Sequence, residues 1–273
     1  TMITIIFAPP RTGKTCFLTH IANTAAFDKE RNTAMRREIL LKRQNGFDGI
    51  KTVPAHCVSA NYDIIMHKFG YSPRLSRRIN PFRLGYANDF VQTHFNLPYE
   101  CICITEAQKY LNSRMSMYFP DWQSRWYEQH GHNNLDIWLD TQRPTLIDVN
   151  VRELSQFIEI MDLKLKYDGF GRVRNLTWTI RRIDNSGLFD RYMQSGKKDR
   201  ECYTEEIVKA DYNVFACYDS QNCKPKFYDG HLREDFDYML AEPNDGTLDG
   251  YIKYLQDMDD ELPDNFYMRR KAT

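Results

Sequence analysis

Residues 8–15 read APPRTGKT and nearly match the phosphate-binding pattern G-x-x-x-x-G-K-[ST], also known as Walker A. The lysine and the threonine that this pattern requires are Lys14 and Thr15, while Ala8 replaces its first glycine. In such a loop, consecutive backbone N–H groups at the start of a helix point at phosphate oxygens. The sequence therefore predicts a nucleotide-binding loop. The residues expected to bind the nucleotide are Pro10, Arg11, Thr12, Gly13, Lys14, Thr15 and Cys16.

Individual residues of the loop have distinct expected roles. Lys14 is expected to reach the β- and γ-phosphates, and the hydroxyl of Thr15 is expected to ligate Mg²⁺. Gly13 lacks a Cβ that would obstruct an approaching phosphate. Pro10 has no N–H group, but the important donors come from later loop residues. Arg11 is unusual in such a loop and adds positive charge near the phosphates.

A second group of candidate residues lies in CICITEAQ, residues 101–108. Four apolar residues before Thr105 and Glu106 indicate a buried strand that ends beside the loop in a parallel sheet. Many P-loop proteins carry Asp-Glu at this point, where the aspartate directs Mg²⁺ and the glutamate polarises the attacking water. Glu106 is thus the predicted catalytic base, and Thr105 a weak metal-site residue. The structural alternative is that Glu106 only caps the following helix.

A third group follows in LDIWLDTQRP, residues 135–144. Gln142 follows an apolar strand, where a polar side chain can sense the γ-phosphate or orient water. Arg143 and Arg152 come next, and either could act as an arginine finger on the nucleotide of a neighbouring subunit. An ordinary surface arginine is the alternative for each. Gln142 and Arg152 complete the catalytic candidates.

The elements that must position these groups can be predicted from hydrophobic patterning. The apolar, β-branched run MITIIF at 2–7 is typical of a strand buried on both faces, and a helical pattern follows the loop. Further strands are predicted within 56–64, 99–111 and 135–148, and a second helix over KERNTAMRREILLKRQ. Alternation of strands and helices predicts an α/β fold with a mainly parallel central sheet flanked by helices.

The pattern changes after residue 155. QFIEIMDLKLKYD and RVRNLTWTIRRID both alternate apolar with polar residues, and DGFG lies between them. This arrangement predicts an antiparallel β-hairpin appended to the parallel sheet. The predicted domains are a P-loop core over 1–185, with most of the sheet, and a C-terminal extension over 186–273 that is packed on the core or peripheral to it.

Composition limits the partners only weakly. The 273 residues contain 37 basic and 37 acidic side chains, so net charge does not point to any class of partner. The segment 68–83 contains five basic residues and no acidic one, and its Tyr71 and Phe82 could stack on single-stranded DNA. A solvated surface is the alternative. No run of about 18 apolar residues occurs, so we expect no membrane-spanning helix in this chain.

Taken together, APPRTGKT, ITEAQKYLNSR and HGHNNLDIWLDTQRPTLIDVNVREL resemble the zonular occludens toxin (Zot) family. This family includes the assembly ATPases of filamentous phages and is similar to the HerA–FtsK class of P-loop motors. The resemblance covers residues 2–185. It implies a RecA-like core, ATP with Mg²⁺, and a homo-oligomeric ring at the cytoplasmic face of the host inner membrane. Such a ring drives the packaging of phage DNA and virion export.

The chain also departs from the family. Ala8 and Thr105 replace a typical glycine and aspartate, which implies weaker metal binding and slower turnover. Family members usually continue into a transmembrane helix and an outer domain, so membrane association is expected through a segment absent from this chain. Two functions stay open. One is an ATP-hydrolysing motor that moves phage single-stranded DNA or coat protein; the other is a nucleotide-binding switch or scaffold with little or no hydrolysis.

Overall fold

One mixed sheet of eight strands runs through the part of the chain that the computed structural model describes. That part comprises residues 1–45, 56–62, 64, 76–79, 81, 84, 98–114, 119, 121–171, 173–211 and 214. The strands are β1 (Ile3–Phe7), β2 (Val58–Ala60), β3 (Arg77–Arg78), β4 (Cys101–Ile104), β5 (Asp136–Thr141), β6 (Ser155–Tyr167), β7 (Val173–Ile183) and β8 (Thr204–Asp211). Their order across the sheet is β3-β2-β4-β5-β1-β6-β7-β8.

Five α-helices connect or flank these strands in the described ranges. They are α1 (Lys14–Ala26), α2 (Lys29–Gln44), α3 (Asp121–Glu128), α4 (Val149–Glu153) and α5 (Ser186–Gln194). Short 3₁₀ turns occupy 107–109, 130–133, 144–146 and 200–202. Among these helices, none combines the length and the apolar character that a membrane crossing requires.

The strand β1 lies in the interior of the sheet. It pairs in parallel with β5 on one side and with β6 on the other. All five of its residues are buried, as its continuous apolar run predicts. Ile6 faces one side of the sheet, and Ile3 and Ile5 face the other. Both faces of the strand therefore contribute to a core.

Helices cover both faces of the sheet. On one face, α1 packs Phe17, Leu18 and Ala22 against residues of β1, β2, β4 and the hairpin. On the other face, α5 inserts Phe189 against β6, where its ring stacks on Phe157 with centroids 4.0 Å apart. The predicted α/β fold, a mainly parallel central sheet flanked by helices, is confirmed.

The predicted antiparallel hairpin is confirmed and is formed by β6 and β7. It is continuous with the main sheet, because β6 also pairs in parallel with β1 from Ser155 to Glu159. Beyond Glu159, which lies opposite Phe7, β6 continues past the end of β1 with a register shift between Ile160 and Asp162. The outer half of the hairpin thus projects past the edge of the sheet at which β1 ends.

Some predicted elements are shorter than their sequence patterns indicate. The strand expected within 56–64 spans only β2. The helix expected after Glu106 is a 3₁₀ turn over 107–109, and Glu106 itself adopts a left-handed conformation (φ 55°). The basic segment 68–83 lies largely outside the described residues. The division at residue 185 stays a prediction; within 186–211, α5 packs on the core and β8 extends the sheet.

Removal of the Phe157 ring should destabilise the fold strongly. Phe157 is fully buried between β1 and α5, so Phe157→Ala should lower the free energy of unfolding by about 3–5 kcal/mol. The matched control is Phe170→Ala at the hairpin turn, where the side chain is 88% exposed and the change should stay within about 0.5 kcal/mol. Urea denaturation of both variants measures the difference. Equal destabilisation would contradict the assigned core.

Candidate nucleotide-binding site

The phosphate-binding loop connects the end of β1 to the start of α1. Gly13 is the N-cap of α1 and adopts a left-handed conformation (φ 82°). Because glycine has no side chain to cap the helix, the first N–H groups of α1 are free of an N-cap partner and point outward from the helix end. Arg11 is also left-handed (φ 63°), and the hydroxyl of Thr12 donates to the carbonyl of Pro9 at 2.8 Å. The loop is thus folded tightly around its own backbone.

The side chain of Lys14 folds back over the loop. Its ammonium donates to the carbonyl oxygens of Ala8 and Pro9, each at 3.0 Å. Burial lowers the pKa of Lys14, and the carboxylates of Asp140 and Glu106 oppose that shift. A phosphate oxygen could replace either carbonyl as the acceptor, so this geometry suits the role predicted for Lys14. Ala8 itself is buried in the core and supplies its carbonyl oxygen where the usual pattern has a glycine.

Three donors converge on the carboxylate of Asp140, a residue that the sequence analysis did not select. The hydroxyls of Thr15 and Thr105 donate to Oδ2 at 3.1 and 2.9 Å. The backbone N–H of Glu106 donates to Oδ1 at 2.8 Å. Asp140 is 1% exposed and lies near the end of β5, the strand between β1 and β4. A single carboxylate therefore joins the phosphate loop to the strand end that carries Glu106.

The charge of Asp140 depends on opposing effects. Burial raises the pKa of this carboxyl group. The hydrogen bonds from Glu106 and Thr105 and the ammonium of Lys14 act in the opposite direction. A signal for this residue did exist in the sequence, because an acidic side chain interrupts the apolar pattern of LDIWLDTQ immediately before the strand ends.

Glu106 lies on the same edge of the sheet, directly after Thr105. Its side chain makes no capping hydrogen bond to the 3₁₀ turn that follows, so the capping alternative has no support. Instead its carboxylate accepts a hydrogen bond from Gln108 at 2.8 Å and lies 3.6 Å from the ammonium of Lys109. Asn61, another residue that was not predicted from the sequence, holds the end of β4. Its amide nitrogen donates to the carbonyl of Thr105, and its amide oxygen accepts from the N–H of Thr105.

The structure separates the other predicted catalytic residues. Gln142 is exposed immediately after β5, and its side chain has no hydrogen-bond partner among the described residues. Arg143 follows it at the same edge and is exposed. Arg152 lies in α4, which leads into the amino end of β6, where Ser155 pairs with Ile3. Arg152 is therefore at the opposite edge of the sheet from the loop, so it cannot contact a nucleotide in its own chain's loop, and its catalytic role stays a prediction.

The hairpin packs directly on the phosphate loop. A Cβ on Gly13 would lie 2.6 Å from Cδ2 of Leu163 and 3.5 Å from Nε1 of Trp178. Trp178 is fully buried, and its ring contacts Phe17 edge-on with centroids 5.3 Å apart. The expected clearance for an approaching phosphate stays a prediction. The structure adds a second reason for a glycine here, because a side chain at this position would collide with the hairpin.

The oxygen donors at this edge of the sheet match the preferences of Mg²⁺. They comprise the hydroxyls of Thr15 and Thr105 and the carboxylate of Asp140, all within one hydrogen-bonded group. The Cys16 side chain is buried in the core, so only its backbone N–H can contact a nucleotide. Pro10 and Arg11 are exposed on the outside of the loop.

Comparison with known proteins identifies similar folds only. No protein-family model and no curated protein matches the chain. Among solved structures, the N-terminal domain of zonular occludens toxin from Neisseria meningitidis is 17% identical with a TM-score of 0.46, over 80% of this chain and 99% of that chain. The genome packaging NTPase B204 from Sulfolobus turreted icosahedral virus 2, solved with ATP-gammaS, is 10% identical with a TM-score of 0.35, over 76% of this chain and 95% of that chain. At these similarities neither structure assigns an activity to this chain.

Gly13→Ala should destabilise the protein more than the same change at another left-handed glycine. Gly171 has φ 74° and open space around it, so Gly171→Ala should cost only the backbone penalty of about 1 kcal/mol. Gly13→Ala adds the collision with Leu163 and should cost about 2–4 kcal/mol in total. Urea denaturation measures both values.

A double-mutant cycle tests whether the hairpin causes the difference. Combined with Leu163→Ala, the Gly13→Ala change should lose part of its cost, with a coupling energy of about 1 kcal/mol or more. Strict additivity of the two changes would show that the collision does not exist.

Proposed function

We propose that this chain is a P-loop ATPase, the motor subunit of a filamentous phage assembly and export machine. The observation that carries the proposal is the meeting of Lys14, Thr15 and Glu106 at the carboxyl edge of neighbouring parallel strands. Ligands of open α/β sheets bind outside this edge. The residues present there suit phosphate binding, metal binding and proton abstraction.

ATP binding would use the loop as follows. The N–H groups from Thr12 to Cys16 would donate to phosphate oxygens, and Lys14 would exchange its two carbonyl acceptors for the β- and γ-phosphates. Thr15 and Thr105 are the hydroxyls that would hold Mg²⁺, which neutralises phosphate charge when bound. Because Lys14 is already buried between carboxylates and carbonyls, the site would gain a charge-assisted contact with little rearrangement.

Hydrolysis would then depend on Glu106 and Gln142. Glu106 would accept the proton of the attacking water, and Gln142 would orient that water. Gln108 and Lys109 both contact Oε2 of Glu106, so Oε1 is the oxygen that would take the proton. An arginine from a neighbouring subunit would complete the site, and the position of Arg152 at the far edge of the sheet suits such a contribution in trans.

The phage-specific part of the proposal is supported by the sequence motifs that resemble the Zot family. The proposed assembly is a homo-oligomeric ring at the cytoplasmic face of the host inner membrane, which would move phage single-stranded DNA or coat protein. Membrane attachment would come through a segment outside this chain. One motor subunit would couple the nucleotide state to movement through elements that touch the loop, and the β6–β7 hairpin is such an element.

The second candidate is a nucleotide-binding switch or scaffold with little or no hydrolysis. The observation that favours it is the replacement of the expected glycine and aspartate by Ala8 and Thr105. Tight ATP binding and oligomerisation without phosphate release would establish this alternative.

Substitution of Lys14 or Glu106 distinguishes the two candidates. Lys14→Ala should abolish ATP turnover together with most ATP binding, because the phosphate-contacting cation is lost. Glu106→Gln should keep ATP binding and lower turnover by about 10²–10⁴-fold. The matched control is Lys164→Ala on the hairpin, whose side chain is 76% exposed and should leave both properties unchanged. Phosphate release should be measured at high protein concentration with and without single-stranded DNA; no turnover that depends on Lys14 would refute an ATPase.

Turnover should also depend on assembly. The monomer should hydrolyse ATP below about 1 s⁻¹, under the ~10 s⁻¹ typical of enzymes, because its own Arg152 cannot reach its own loop. The rate per subunit should rise with protein concentration as oligomers form, and Arg152→Ala should remove that rise while Arg174→Ala on the exposed hairpin should not. A monomer that turns over rapidly would contradict this prediction.

A further inference from the structure

Asp140 is the most fully enclosed carboxylate at the candidate site, and its partners come from two different parts of the fold. Oδ2 accepts from Thr15 at 3.1 Å and from Thr105 at 2.9 Å. Oδ1 accepts from the N–H of Glu106 at 2.8 Å. A buried carboxylate is expensive unless it is hydrogen-bonded, and the fold supplies these donors across 35 and 125 residues of chain.

A purely structural role for Asp140 would not explain the identity of its partners. The hydroxyl of a P-loop threonine is the metal-binding group of the loop, and in P-loop ATPases its usual companion is an aspartate. In this chain that companion is absent from the end of β4, where Thr105 stands. The carboxylate that contacts Thr15 instead comes from β5, the adjacent strand.

We infer that Asp140, on β5, is the carboxylate that positions Mg²⁺ at the nucleotide, in the role that P-loop ATPases usually give to an aspartate at the end of the strand that here ends in Thr105. Neighbouring strands lie about 4.8 Å apart, so a carboxylate on β5 can occupy nearly the same space as one on β4. Thr105 then acts as a hydroxyl donor that orients Asp140. The inference rests on the proposed nucleotide site and names the residue that makes it metal-dependent.

The chain offers an experiment that separates this role from a structural one. The probe is a fluorescent ATP analogue, and its dissociation constant is measured once with Mg²⁺ and once with EDTA. The ratio of the two constants is the magnesium effect, which needs no turnover. Asp140→Asn keeps the shape of the side chain and its acceptor for the Glu106 N–H, but it loses the charge.

Asp140→Asn should reduce the magnesium effect by about 10- to 100-fold while binding in EDTA is unchanged or tighter. Binding in EDTA should not weaken, because the substitution removes a negative charge close to the phosphates. The matched control is Asp148→Asn, a second buried aspartate, which caps α4 and makes no contact with the Asp140 group; an asparagine there can keep the capping hydrogen bond. This variant should retain the full magnesium effect.

The exchanged pair Thr105→Asp with Asp140→Thr provides the complementary test. It returns the carboxylate to the end of β4 and should recover most of the magnesium effect that Asp140→Thr alone loses. If Asp140→Asn does not fold, this pair decides the question, and a folded pair that binds nucleotide without a magnesium effect overturns the inference.

Each result has one meaning. A full magnesium effect in folded Asp140→Asn overturns the inference and leaves the nucleotide site intact. Equal weakening with Mg²⁺ and with EDTA also overturns it, because that pattern indicates a structural role. A wild-type chain that binds no nucleotide under either condition refutes the proposed function itself, and the inference with it.

Discussion

The buried carboxylate of Asp140 is the constraint on which the rest of the site depends. A charge with 1% exposure must be hydrogen-bonded, and the donors available are two hydroxyls and one backbone N–H. These donors belong to the first turn of α1 and to the end of β4. The strand order, with β5 between β1 and β4, brings these donors to Asp140. The same interaction therefore satisfies a buried charge and brings the phosphate loop beside Glu106.

A second constraint acts on the loop from the opposite direction. Because β6 continues past the end of β1, its outer half places Leu163 against Gly13, and Trp178 on β7 packs on Phe17 in α1. Packed interiors transmit displacement because they have few voids. A movement of Gly13 on nucleotide binding would press on the hairpin, whose far end is exposed. The loop thus contacts the carboxylate of Asp140 through Thr15 and packs against the hairpin through Gly13.

The local features of this chain could be predicted from sequence because they depend on neighbouring residues. The loop, the exact span of α2 and the β6–β7 hairpin all have local patterns. The role of Asp140 could not be predicted, because it depends on which strands become neighbours, and a parallel sheet reorders strands through crossovers. For the same reason, the collision partner of Gly13 is 150 residues away in sequence and has no local signal. The left-handed conformation of Glu106 has no local signal in the sequence either, because tertiary contacts hold a non-glycine residue in that conformation.

In the sequence, Thr105 indicates that the carboxylate expected after β4 is missing. In the fold, Asp140 brings a carboxylate to the same place from the neighbouring strand β5. A metal ion requires an oxygen at a point in space, and any strand whose end reaches that point can supply it. Thr105 contributes a hydroxyl that bonds Asp140, so the two positions together retain one carboxylate and one donor at the site. At the same edge, Gln108 and Lys109 both contact Oε2 of Glu106, so its other carboxylate oxygen is not engaged by them.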